Sequence, residues 1–135
     1  MKNRLTFADV IEALTGVRPS WATQEITDAV IDSRQATPGG LFVALPGENV
    51  DGHDYVADAF ERGARFAFID QDIDYAAPVL DLREGPVIAE IPSLHIPCVI
   101  RVSDSLQALQ QVARFWRQQL ELQVIGITGS VGKST

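Results

Sequence analysis

Apolar positions along this 135-residue chain fall into short blocks that switch between helical and strand spacing. Val10, Ile11 and Leu14 share one helical face. Thr6 stands ahead of them as an N-cap, Leu5 is placed to staple onto Val10, and Gly16 ends the helix. Residues 17–25 are polar and mixed, a loop. Ile26 to Asp32 reads as a short strand centred on Ala29-Val30-Ile31. Pro38-Gly39-Gly40 is a turn, and Leu41 to Leu45 is an apolar run of strand length. After a polar segment from Pro46 to Gly52, Asp54 is predicted to cap a helix through Arg62, closed by Gly63. Arg65 to Ile69 is the next strand.

Residues 70–97 are the least legible, with prolines at 78, 86, 92 and 97. They read as short strands or extended loop, with apolar pieces at Val79-Leu80 and Val87-Ile88. Cys98 to Val102 is a strand. Ser103 or Asp104 then caps the longest helix, predicted to reach about Leu120. Its apolar face is Leu106, Leu109, Val112, Ala113, Trp116 and Leu120. Gln123-Val124-Ile125 closes the pattern as a buried strand. Strands alternating with helices predict an α/β fold, a small mixed sheet with flanking helices. A boundary is expected near residues 120–123. Residues 1–121 would form one domain, and 122–135 the first strand and loop of a second whose remainder lies past Thr135.

Composition narrows the function classes. Apolar content is 46%, charged content 21% and net charge −7, ordinary for a globular domain and unfavourable for nucleic acid or an anionic membrane surface. No apolar run is long enough to span a membrane, and the first residues lack the apolar core of a signal peptide. The single cysteine, Cys98, excludes an internal disulfide and reads as a small buried hydrophobe. A cytoplasmic location is expected.

The strand at Gln123-Val124-Ile125 runs into Thr128-Gly129-Ser130-Val131-Gly132-Lys133-Ser134-Thr135. Such a turn presents successive backbone N–H groups to phosphate oxygens, and Gly129 and Gly132 leave room for them. Lys133 would reach the terminal phosphates of ATP, Ser134 would place its hydroxyl on Mg²⁺, and Thr135 would add a polar contact. The strict phosphate-loop pattern wants glycine where this chain has Ile127. The helix expected to follow lies past Thr135, so this chain alone is expected to bind ATP negligibly and to be inactive.

A second polar constellation spans Ile31-Asp32-Ser33-Arg34 and Gly47-Glu48-Asn49-Val50-Asp51-Gly52-His53-Asp54. Ser33 and Asn49 suit hydrogen bonding in a cleft, and Arg34 suits a phosphate or carboxylate. Glu48-Asn49 sits on a Gly-flanked turn. The alternative is structural, with Arg34 in an ion pair and Asp51 and His53 capping and bracing the start of a helix.

D-S-R, then P-G-x-L-F-V-A-L-x-G, then D-G-H-D-Y and R-G-A resemble the N-terminal domain of the Mur ligases of peptidoglycan synthesis. The likeness is to the kind found in the third and fourth amino-acid-adding enzymes. The closing T-G-S-x-G-K-S-T is similar to that family's ATP loop, including the missing first glycine. T-G-S-V-G-K and the Ser103–Leu109 segment resemble the branch that adds D-alanyl-D-alanine more than the tripeptide-forming branch. The resemblance implies a monomeric, ATP- and Mg²⁺-dependent enzyme that forms an acyl phosphate on UDP-N-acetylmuramoyl-tripeptide and couples it to D-alanyl-D-alanine. It implies that Ile31 and Ser33 contact the uridine diphosphate, with Glu48, Asn49 and Val50 on the facing turn. It also implies that Gly129, Ser130, Val131, Gly132, Lys133, Ser134 and Thr135 hold ATP, with Ser134 on the metal and Arg34 bracing the site. Competing readings are the tripeptide-forming ligase, a non-catalytic nucleotide-sugar-binding module and an unrelated phosphate-loop NTPase.

Overall fold

The computed structural model describes residues 4–20, 22–47, 50–83 and 97–128, the last eight by backbone alone. Its centre is a five-stranded sheet, parallel at every pairing. In chain order the elements begin with β1 (Leu5–Thr6), α1 (Phe7–Thr15), β2 (Glu25–Ile26), β3 (Ala29–Val30) and β4 (Leu41–Val43). They continue with α2 (Val56–Glu61), β5 (Phe66–Ile69), β6 (Val79–Asp81), β7 (Cys98–Arg101) and α3 (Ser105–Thr128). The main sheet runs β3-β4-β5-β7-β6, and β1 and β2 form a separate antiparallel ribbon.

Side chains alternate across the central strands, and each face has its own core. Leu41, Val43, Phe66, Phe68, Cys98 and Ile100 point to one face and bury against α1 and α3 through Phe7, Val10, Ile11, Ala108 and Val112. Phe42, Ala44, Ala67, Ile69 and Val99 point to the other and bury against α2 through Val56, Ala59 and Phe60. The Phe7 and Phe66 rings stack with centroids 4.1 Å apart, tying α1 to the middle of the sheet.

Local chemistry sets the helix ends. The Thr6 hydroxyl accepts from the Asp9 amide while the Asp9 carboxylate accepts from the Thr6 amide, a reciprocal capping box. Asp9 is buried, and its charge is met by Arg18 at 2.8 Å. Gly16 closes α1 at φ 81°, in the left-handed region that suits glycine. Asp104 caps α3, accepting from the Gln107 amide at 2.9 Å.

Four sequence expectations need correction. The single strand over Ile26–Asp32 is two: β2 pairs with β1, and β3 enters the main sheet. The break falls at Thr27-Asp28, where the Thr27 amide donates to the Gly39 carbonyl and Asp28 turns its carboxylate onto the Ala29 amide. Asp54 does not cap the second helix. Asp51 does so first, through a 3-10 turn at Gly52–Tyr55 that leads into α2. On α3 the buried positions are Ser105, Ala108 and Val112, whereas Leu106, Ala113 and Leu120 are exposed.

Finally, the strand expected at Gln123-Val124-Ile125 is helical, because α3 continues through Thr128. Leu120, Glu121, Leu122 and Gln123 are good helix formers. A buried parallel strand requires neighbours on both sides, and no described strand pairs with this segment. The boundary expected after residue 121 falls within this helix. Val87-Ile88 lies outside the described residues.

Candidate functional site

All five main strands point their carboxyl ends the same way, so the loops leaving them gather on one edge, where parallel α/β sheets bind ligands. β3 leads into Ile31-Asp32-Ser33-Arg34, and β4 into the segment ending at Val50-Asp51. β5 leads to Asp70, and β7 to Ser103-Asp104-Ser105.

The loop after β3 is fixed from within. Asp32 accepts from the Arg34 amide at 2.9 Å and takes the guanidinium by two bonds, 3.1 Å from Nε and 2.8 Å from Nη2. The Arg34 fork and amide hold the Asp32 carboxyl down at about 2. Arg34 is therefore a brace, as the ion-pair alternative has it. Ser33 is buried, and its hydroxyl donates to Asp58 on α2, which lowers the Asp58 pKa. Ile31 is 57% exposed beside these fixed groups.

The loop after β4 is held at its neck and beyond. The Gly52 amide donates to the Leu45 carbonyl at 2.8 Å. A Cβ on Gly52 would stand 2.8 Å from the Leu45 nitrogen, so only glycine fits without moving backbone. A Cβ on Gly47 would overlap the Val50 carbonyl. Asp51 Oδ1 accepts from both the backbone and Nδ1 of His53, at 2.9 and 2.7 Å, and these two bonds, backbone first, lower the Asp51 pKa.

His53 is buried, and its Nε2 accepts from the Asp70 amide at 3.1 Å. Nε2 also lies 3.1 Å from Asp70 Oδ1, so the two ring nitrogens face the carboxylates of Asp51 and Asp70. Asp70 Oδ2 in turn accepts from the Ser105 amide at 2.9 Å, at the positive end of α3. The Ser105 hydroxyl is buried without a partner. Four residues thus link the ends of β4 and β5 to the start of α3.

Of the expected substrate residues, Ile31, Ser33 and Val50 all sit on this edge. Ile31 and Val50 are more than half exposed, while Ser33 faces inward to Asp58. Glu48 and Asn49 lie outside the described residues, as do Gly129, Ser130, Val131, Gly132, Lys133, Ser134 and Thr135. Tyr55, 41% exposed at the start of α2, joins the exposed set and was missed by sequence reasoning. Asp58 and Asp70 were missed too. The signal for Asp70 was an acidic residue immediately after an apolar strand, ahead of the stretch with no readable period.

A further cavity lies elsewhere among the described residues. It measures about 480 Å³ and sits between α3 and the β2–β3 segment, lined by Leu5, Ile26, Leu109, Val112 and Trp116 among others. No group of three or more His, Cys, Asp or Glu side chains suited to a metal occurs among the described residues. No described helix is long and apolar enough to cross a membrane.

Comparison with known proteins gives this edge its context. The profile of the Mur ligase family, catalytic domain, matches residues 25–117. The chain is 36% identical over 134 residues to the UDP-N-acetylmuramoyl-tripeptide–D-alanyl-D-alanine ligase of Treponema pallidum, covering 97% of this chain and 27% of that protein. It is 33% identical over 120 residues to the UDP-N-acetylmuramoyl-L-alanyl-D-glutamate–2,6-diaminopimelate ligase of Bacillus licheniformis, covering 87% of this chain and 21% of that one. A crystal structure of MurF from Acinetobacter baumannii superimposes with a TM-score of 0.55 at 26% identity, covering 87% of this chain and 22% of that chain. The chain belongs to the Mur ligase family. It spans about a quarter of the length of these relatives.

Proposed function

We propose that this chain holds the UDP end of UDP-N-acetylmuramoyl-tripeptide for an ATP-dependent ligase that joins D-alanyl-D-alanine to the tripeptide. The observation that carries the reading is the carboxyl edge of the sheet. There Ile31 and Val50 are exposed beside Asp32, Arg34, Asp51 and His53, which bond one another within their own loops. Large apolar side chains held open to solvent on braced loops suit a flat, partly apolar group such as a nucleobase. Backbone amides and Asn49 would meet its polar atoms.

The donor set at the other end of the chain suits a triphosphate with Mg²⁺. Gly129 through Gly132 offer backbone amides, Lys133 an ammonium, and Ser134 and Thr135 hydroxyls. When bound, ATP supplies the phosphoryl group that activates a substrate carboxylate. The Lys133 charge would offset negative charge on the phosphates, with the Ser134 hydroxyl toward Mg²⁺.

A second reading is favoured by a specific observation. Relatives named as diaminopimelate ligases match at 31–38% identity, alongside 36% for those named as D-alanyl-D-alanine ligases. The amino compound incorporated by protein extended past Thr135 decides between them. For the site itself, calorimetry with UDP-N-acetylmuramoyl-tripeptide should give a saturable heat that Ile31→Asp and Val50→Asp each reduce. Both positions are exposed, so neither change should alter thermal stability much. Saturable binding unaffected by either change would overturn the proposed placement.

A further inference from the structure

We propose that His53 is a positioning residue that sets the place of Val50 and Asp51 over the sheet edge, and through it the affinity for the nucleotide-sugar. This rests on the reading of that edge as the substrate site. His53 belongs to neither hydrophobic cluster, although it is only 6% exposed. What it contributes is two directed hydrogen bonds. Nδ1 donates to Asp51 and Nε2 accepts from the Asp70 amide, so the ring spans the loop after β4 and the end of β5. Nε2 also stands 3.1 Å from Asp70 Oδ1, so the ring meets Asp70 at both its amide and its carboxylate.

The far end of the link is rigid. Asp70 is held by the ring through its amide and by α3 through its carboxylate, and the Val102 amide donates to Ile69 at 2.8 Å just behind it. The near end adjoins the exposed side chain. Asp51 directly follows Val50, and Gly52 behind it has no room to shift toward Leu45. A loop anchored this way presents Val50 in one position before ligand arrives, which lowers the ordering cost of binding. Removing the ring bonds would leave the sheet paired and both cores filled, but would free the Val50–Asp51 segment.

The test uses His53→Phe, which keeps the ring volume and loses both bonds, and His53→Gln, which keeps a donor and an acceptor. Val99→Ala, a buried position in the core beneath α2 with no hydrogen bond from His53, serves as a destabilised control. Amide hydrogen exchange on the unliganded chain should show the Gly52 and His53 amides, bonded to Leu45 and Asp51, opening at least tenfold faster in His53→Phe. Phe42 and Val43 should be unchanged, and His53→Gln should fall between parent and His53→Phe. In calorimetry with UDP-N-acetylmuramoyl-tripeptide, His53→Phe should bind at least tenfold more weakly, whereas Val99→Ala stays within twofold of the parent. Unchanged exchange at Gly52 and at residue 53 in His53→Phe overturns the positioning role whatever the binding result. Equal affinity losses in His53→Phe and Val99→Ala also overturn it. Faster exchange in His53→Phe with no binding by the parent chain would instead remove the substrate reading and with it the link to affinity.

Discussion

Replacing Gly52 by alanine asks how tightly the neck of the candidate loop is closed. The added Cβ would stand 2.8 Å from the Leu45 nitrogen, 3.1 Å from its carbonyl oxygen and 3.2 Å from the Ala44 Cα. All three are backbone atoms, and the Ala44 amide is committed to Phe68 at 3.0 Å, so the strand end cannot yield. The loop must move instead and stretch the Gly52–Leu45 hydrogen bond. Overpacking of this kind costs about 1–3 kcal/mol, and a weakened bond about 1 kcal/mol more. Alanine returns about 0.4–1 kcal/mol by restricting the unfolded chain. The net expectation is about 2 kcal/mol, roughly 6–10 °C in Tm for a chain of this size.

Gly16→Ala provides the contrast. Its Cβ would meet nothing within 4 Å, so only the positive φ is penalised, at about 1 kcal/mol. Thermal unfolding followed by circular dichroism measures both. If Gly52→Ala melts within about 1 °C of the parent, or Gly16→Ala is the more damaging, the close-contact reasoning is wrong.

Other expectations follow from the core and the charges. Phe66→Ala removes the ring stacked on Phe7 from a fully buried site and should cost about 3–5 kcal/mol, measured by urea unfolding. Asp32 should still be ionised at pH 3 by carboxyl-carbon NMR, since its folded pKa is about 2. Because that pKa is depressed, the Asp32–Arg34 clamp contributes fully above about pH 4 and is lost as pH falls through 2. The effect on global stability should be small, because the pair is exposed. Cys98, buried with its thiol raised to about 11, should resist a thiol reagent at pH 8 and react at once in denaturant.

Much of the fold was legible because the signals were local. The Thr6 cap and Gly16 stop of α1, and the apolar runs of β4, β5 and β7, each announce themselves within a few residues. The split between β2 and β3 did not, because it depends on Gly39 reaching Thr27 across the turn and on Leu5-Thr6 supplying a partner. The buried stripe of α3 was read correctly at Val112, with Leu109 and Trp116 half-buried, but missed Ser105 and Ala108. Small residues, Ser105 and Ala108, face the sheet where it lies close, and larger ones such as Leu106 are left outside. At the candidate site, the structural alternative for Arg34, Asp51 and His53 holds for all three. Sequence spacing could place these residues on one edge, but Asp58 and Asp70, which hold Ser33 and His53, come from other elements and carry no pattern pointing back to them.

The most direct test of the account is a backbone amide map of the chain titrated with UDP-N-acetylmuramoyl-tripeptide. Shifts should concentrate on residues 31–34 and 47–52, with a weaker response at Tyr55. Shifts concentrated instead around Leu109, Val112 and Trp116, in the large cavity beside α3, would contradict the assignment of the substrate to the carboxyl edge of the sheet.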